Sequence, residues 1–123
     1  MVVSLDDNLV NKSGHNELVP IFLPIRRNKI EIPDYINIKI LNTSKSKKYV
    51  LTSVIKYLGA HYTAYIACPK IRRENKEVYV SDNWYYWDGL DQKEPLIKSS
   101  IQKVKEDGGI NGVILIYQVF NIM

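Results

Sequence analysis

A single cysteine, Cys68, among 123 residues leaves no intramolecular disulfide to hold the chain together. Histidine is nearly as scarce. His15 and His61 lie far from each other and lack the ligand spacing of a zinc site, so no metal and no cofactor is implied. No glycine-rich phosphate loop is present; Gly108-Gly109 and Gly112 suit a helix stop and a loop instead. Long apolar runs are missing too. The longest near the end, Val113 to Phe120, is too short for a bilayer and is interrupted by Gln118. Met1 to Asn11 carries Asp6 and Asp7 and no long apolar stretch, which does not fit a signal peptide. These absences set the expectation of a soluble intracellular protein, cytoplasmic or nuclear, that engages no membrane. On that expectation the glycosylation sequons at Asn11 and Asn42 carry no weight. There is neither an internal repeat nor a heptad pattern.

What is present describes an ordinary globular chain. Hydrophobic residues make up 46% and charged residues 24%, enough apolar material for a folded core. The length suits one domain. A net charge of +4 can attract nucleic acid or an anionic surface, but acids and bases are interleaved along much of the chain. The densest basic run, Lys45, Lys47 and Lys48, falls between two expected strands and reads as a solvated loop. Arg26, Arg27 and Lys29 read the same way. Residues 1–17 form a polar arm, possible disorder included, with His15 inside it. Residues 18–123 form the folded unit.

From Leu18 onward the pattern is mainly β. Val19 to Ile25 is apolar but carries Pro20 and Pro24, which restricts it to a short or edge strand. Ile30, Ile32, Ile36, Ile38 and Ile40 alternate, with Pro33-Asp34 interrupting, so a half-buried strand is expected on each side of a turn. Tyr49 to Leu58 is a strong strand. Tyr62 to Cys68 is another, with Thr63, Tyr65 and Ala67 on one face and Tyr62, Ala64 and Ile66 on the other. Glu77 to Val80 and Trp84 to Trp87 suggest a hairpin around Ser81-Asp82-Asn83. Gly112 to Val119 is nearly all apolar, as expected in the middle of a sheet. Leu96, Ile97, Ile101 and Val104 recur at near-helical spacing, and Gly108-Gly109 would stop a helix of about three turns at most. The fold class is therefore α+β, mainly antiparallel sheet with one short helix.

Four segments, in order, resemble the C-terminal half of the ubiquitin-specific protease domain. Tyr49-Val50-Leu51 is similar to the family's opening Tyr-x-Leu strand. Gly59-Ala60-His61-Tyr62-Thr63-Ala64-Tyr65 resembles its histidine box. Trp84-Tyr85-Tyr86-Trp87-Asp88 resembles the acid-bearing strand, with Trp87 where Phe is usual. Ile114-Leu115-Ile116-Tyr117 is similar to the closing strand. Ile21 to Arg27 and Ile30 to Pro33 match upstream segments more weakly. The resemblance implies a palm-like subdomain of a papain-like fold. It implies His61 as general base, Asp88 as its orienting acid, and Tyr62 lining the channel for the ubiquitin tail. Two adjacent antiparallel strands would bring His61 and Asp88 side by side. Periodicity alone favours plainer roles: His61 as the first residue of a strand, Asp88 as the cap of the turn before Gly89.

The departures matter as much. No cysteine precedes residue 48, so the nucleophile and the oxyanion-stabilising half of the domain are missing. Cys68 ends the strand that His61 begins, too far away for proton transfer at about 3.3 Å per residue; it reads as a small, partly buried core residue. Ala60 replaces the glycine usual before the histidine, and Gly89 replaces a second acid. The expectation is a partial deubiquitinase domain, inactive alone, with ubiquitin or a ubiquitin-like protein as partner. Self-association, or a partner covering the missing half, is also expected. A subunit that completes a split deubiquitinase is an alternative reading. So is a basic β-rich nucleic-acid-binding module in which Trp84 to Trp87 would stack bases.

Overall fold

The structure, a computed structural model, describes residues 2–5, 20–25, 29–40, 44, 46–72, 74–75, 77–91 and 93–119. Its elements follow as β1 (Val2–Leu5), β2 (Ile21–Pro24), β3 (Tyr35–Ile40), β4 (Ser46–Leu58), β5 (His61–Ile66), β6 (Lys70–Arg72), β7 (Glu77–Tyr79), β8 (Trp84–Trp87), β9 (Leu96–Ser99), α1 (Ile101–Asn111) and β10 (Gly112–Gln118). The α+β class read from the sequence is the one observed. Eight strands make one sheet. Its main path runs β1-β3-β4-β5-β8-β9, and β10 adds a branch between β4 and β2. All pairings are antiparallel except β1 with β3. Val2–Leu5, within the polar arm, thus forms an edge strand; His15 and the basic pair Arg26-Arg27 lie outside the described residues.

β4 is the spine. Its 13 residues pair with β3, β5 and β10. Along β10, Ile116 faces Ser53 but Tyr117 faces Leu51, so Thr52 is an extra residue: a β-bulge. The bulge changes which residues point inward. Tyr49 and Leu51 face the core before it, Val54 after it. The core gathers these with Ile32, Ile36, Ile38, Tyr65, Trp84, Val104, Leu115 and Tyr117. Trp84 is wholly buried, and its indole N–H donates to the Ser81 carbonyl at 2.6 Å.

α1 covers the core face. Ser100 caps its start, accepting from the Lys103 N–H. The helix begins later than the sequence pattern suggests, because Leu96 and Ile97 belong to β9. Nor do Gly108 and Gly109 stop it; they are buried inside it, and the end comes at Gly112. Their small size serves close approach. A Cβ at Gly109 would lie 2.5 Å from the Ile30 carbonyl oxygen, and Ile30 N–H donates to Gly109 O at 2.9 Å. That bond holds residues 29–33 against the helix as an extended segment rather than the strand expected there.

The expected hairpin between Glu77–Val80 and Trp84–Trp87 does not form. β7 pairs with β6, and β8 lies between β5 and β9. The Ser81 hydroxyl accepts from the Asn83 N–H at 2.9 Å and turns the chain, which sends Trp84 into the core beside β5. Two short predictions hold: among the described residues β2 pairs with β10 alone, as an edge strand would, and β10 is flanked on both sides.

The other face of the sheet is a ladder of apolar side chains. Register places Phe22, Ile116, Ser53, Ile66, Tyr85 and Lys98 in one row across β2, β10, β4, β5, β8 and β9. The next row is Pro24, Ile114, Ile55, Ala64, Trp87 and Leu96. Directly opposed residues project from the same face.

Candidate functional site

β4 and β5 are joined by the two-residue turn Gly59-Ala60, and both residues have φ of +60°. Two consecutive positive φ values suit the twist of a tight hairpin. Glycine adopts them freely; alanine does so at a cost, because its Cβ crowds the following carbonyl. The turn places His61 directly opposite Leu58 at the start of β5. Register pairs Ala64 with Trp87, so Asp88, just beyond β8, arrives beside the start of β5.

There the two side chains meet. His61 Nε2 lies 2.8 Å from Asp88 Oδ1. Both side chains are partly exposed, at 28% and 32%. Asp88 Oδ1 also accepts from the Leu90 N–H at 3.0 Å, and the Asp88 carbonyl accepts from the Asp91 N–H at 3.1 Å. The plain role and the chemical one therefore coexist: the carboxylate caps the turn and holds the imidazole. The Leu90 N–H and then the His61 contact hold the Asp88 carboxyl below its ordinary pKa. An ionised carboxylate only accepts, so Nε2 carries the proton and the neutral ring presents its lone pair at Nδ1.

Tyr62 does not join this pair. Strand alternation turns it to the opposite face from His61, where its ring packs on Tyr57 with centroids 4.5 Å apart and stays largely exposed. Cys68 lies beyond the far end of β5 and is exposed, not the partly buried core residue that the sequence suggested. Pro69 follows it, and the chain leaves the sheet there for β6, so nothing draws the thiol into the core.

Trp87 and Gly89 are structurally linked. The Trp87 indole folds over Gly89, where a Cβ would sit 2.6 Å from the ring. Any side chain at 89 would require this aromatic to swing away.

A buried ionic group was not foreseen. Lys56 Nζ donates to Asp107 Oδ2 at 2.6 Å, the Tyr65 hydroxyl donates to the same oxygen at 2.5 Å, and Asn111 donates to Oδ1 at 2.7 Å. The Lys56 ammonium also sits over the Tyr65 and Tyr86 rings. Tyr65 is four residues after His61 and Tyr86 two before Asp88, and their rings lie 5.0 Å apart. The group thus ties α1 to the strands that carry the pair. It borders an open hollow of about 770 Å³ whose lining includes Leu58, the residue opposite His61. The only sequence signal was a lysine between the apolar residues Val54-Ile55 and Tyr57-Leu58.

Among the described residues no His/Cys/Asp/Glu cluster could hold a metal ion, and no helix is long and apolar enough to cross a membrane. No protein family matches the chain, and no curated protein matches it. Among solved structures, the Saccharomyces cerevisiae PAN2 pseudoubiquitin-hydrolase is similar in shape, with a TM-score of 0.39 and 8% identity over 96% of this chain. The present chain spans 49% of that one.

Proposed function

We propose that this chain supplies the histidine and the acid of a thiol-hydrolase centre of the ubiquitin-specific-protease kind, and that it does not cleave by itself. The observation that carries the reading is the 2.8 Å contact between His61 Nε2 and Asp88 Oδ1, made by two residues that sit where the family's sequence pattern has its base and its acid. With Nε2–H held by Asp88, His61 Nδ1 is the atom that would take a thiol proton and later return it to the leaving amine. Asp88 stabilises the imidazolium formed between those steps and is not itself protonated. The thiolate would attack the carbonyl carbon at the ubiquitin C-terminus, and water would release the resulting thioester.

The nucleophile must come from elsewhere. Cys68 lies seven residues along from His61, about 20 Å at about 3.3 Å per residue, beyond the reach of direct proton transfer. The partner class is ubiquitin or a ubiquitin-like protein. Tyr62, exposed near the same hairpin tip, contacts that partner from the outer side of the sheet.

The test is a titration of isotope-labelled ubiquitin with the chain, following ubiquitin's amide shifts. Localised shifts at the ubiquitin tail and its adjoining face are expected, weaker with Tyr62→Ala. No shift at high concentration removes the ubiquitin reading. A parallel assay with a ubiquitin C-terminal reporter should give no turnover. Robust turnover abolished by His61→Ala would overturn the claim that the nucleophile is external.

A further inference from the structure

We infer that the apolar face of the sheet opposite α1 is the interface of a two-fold dimer of this chain. The face spans six strands. Phe22, Ile66, Tyr85, Trp87 and Leu96 on it are between 38% and 60% exposed. Side chains of this kind offer roughly 150–250 Å² each, so these five leave on the order of 500 Å² of apolar surface in water. Half-buried Ile55, Ala64, Ile114 and Ile116 fill the space between them. Together they approach the roughly 800 Å² per partner of a standard interface. The largest apolar patch on a typical monomer is about 300–600 Å² and is often an interaction site, and this face lies at the upper end of that range.

Charge selects the occupant. The chain carries a net +4, yet the two rows of this face hold one ionised side chain, Lys98. The hydroxyl of Ser53 is satisfied by the Tyr65 carbonyl at 2.8 Å. These two rows hold no carboxylate and give a charged partner nothing to pair with except Lys98. Aromatic enrichment and loss of charge are the composition of an interface centre, and a second copy presents the same composition.

The position of Lys98 fixes the arrangement. It stands at one end of its row, on β9, and Phe22 stands at the other end, on β2. A two-fold axis parallel to the strands, passing between β4 and β5, lays β9 of one copy over β2 of the other. Each Lys98 then meets the Phe22 ring of the other copy, a cation–π contact. Trp87 lies over Ile114, and Ala64 over Ile55. Two sheets packed in this way, about 10 Å apart and within about 30° of alignment, form a sandwich. An axis across the strands would instead oppose Lys98 to Lys98. The dimer leaves the His61–Asp88 pair open but packs the face that carries Tyr62, so it stands apart from the proposed chemistry and competes with the Tyr62 contact.

Sedimentation equilibrium across a wide concentration range tests it on the full chain. A monomer–dimer equilibrium is expected, weakened about 30-fold or more by Trp87→Lys and by Leu96→Lys. A wild-type chain that stays monomeric throughout, or a dimer untouched by both folded variants, overturns it. Far-UV circular dichroism checks that the variants fold. In a Cys68→Ser background, Phe22→Cys and Lys98→Cys chains should cross-link to each other on mixing. Cross-linking of Lys98→Cys chains to themselves alone would overturn the axis.

Discussion

Replacing Asp107 with alanine removes the acceptor at the centre of the Lys56–Tyr65–Asn111 group. The Lys56 side chain is 9% exposed and that of Asp107 15%. Breaking a buried ion pair from one side costs about 3–5 kcal/mol, because the surviving charge is left without a partner. The Tyr65 hydroxyl loses its acceptor as well, worth about 1–3 kcal/mol if no water replaces it. The two losses share one oxygen and one hollow, and the hollow admits water, so they do not add. A cost of about 3–4 kcal/mol follows, a large part of the 5–15 kcal/mol typical of a domain. Urea unfolding measures it as a lower midpoint at unchanged slope. The double variant Lys56→Met with Asp107→Leu removes both charges and should recover most of the loss. A single variant costing under about 1 kcal/mol, or a double variant as unstable as the single, would refute the reasoning. The pH dependence gives a second reading. Burial pushes the Asp107 carboxyl up, but the hydrogen bonds from Lys56, Tyr65 and Asn111 outweigh it and hold the pKa below the ordinary value. The unfolded chain therefore binds this proton more readily. The contribution is full above the ordinary carboxylate pKa of about 4 and fades as pH falls through the lower folded value. Asp107→Ala should flatten that acid limb.

Three further outcomes follow from the geometry. Ala60→Gly should stabilise the chain by about 0.5–1 kcal/mol, since the left-handed cost of about 1–2 kcal/mol outweighs glycine's extra freedom when unfolded; a lower unfolding midpoint would contradict the positive φ. The His61 Nε2 proton should appear as a slowly exchanging, far-downfield NMR signal that vanishes in Asp88→Asn. In the wild type it should persist in acid until pH falls through the lowered pKa of Asp88, because the carboxylate that accepts the proton survives to that point; its absence at neutral pH counts against the hydrogen bond. Cys68 should react stoichiometrically with a thiol reagent in the native chain, and labelling that waits for denaturant would show a buried thiol.

Much of the fold was legible because β4, β5 and β8 carry strong local signals. Thr63 and Tyr65 alternate with Ala64 and Ile66 as the strand demands, and the spacing of His61 and Asp88 matches two neighbouring antiparallel strands. What stayed hidden depends on tertiary choices. The pairing of β7 with β6 is set by the Ser81–Asn83 turn and by where Trp84 finds a core, neither visible as periodicity. Gly108 and Gly109 look like a stop, but the pressure of Ile30 and Val54 on the helix gives them a packing role. Lys56 and Asp107 are 51 residues apart, and nothing local links them. The facing of Tyr62, by contrast, was legible: alternation puts it with Ala64 and Ile66, on the face opposite His61.

The bulge at Thr52 has a consequence for how the chain tolerates change in length. Inward-facing residues are odd-numbered before it and even-numbered after it, so the frame of the strand slips by one at that point. Deleting a single residue elsewhere in β4 turns part of the strand inside out, driving Lys48 or Tyr57 toward the interior. Deleting Thr52 joins Leu51 directly to Ser53 and restores simple alternation through the whole strand. The core pattern is kept, and the price is a straighter strand whose ends no longer reach β3 and β5 at the same angle. Length changes in β4 are thus best absorbed at Thr52, the residue that the bulge leaves without a partner between Leu51 and Ser53.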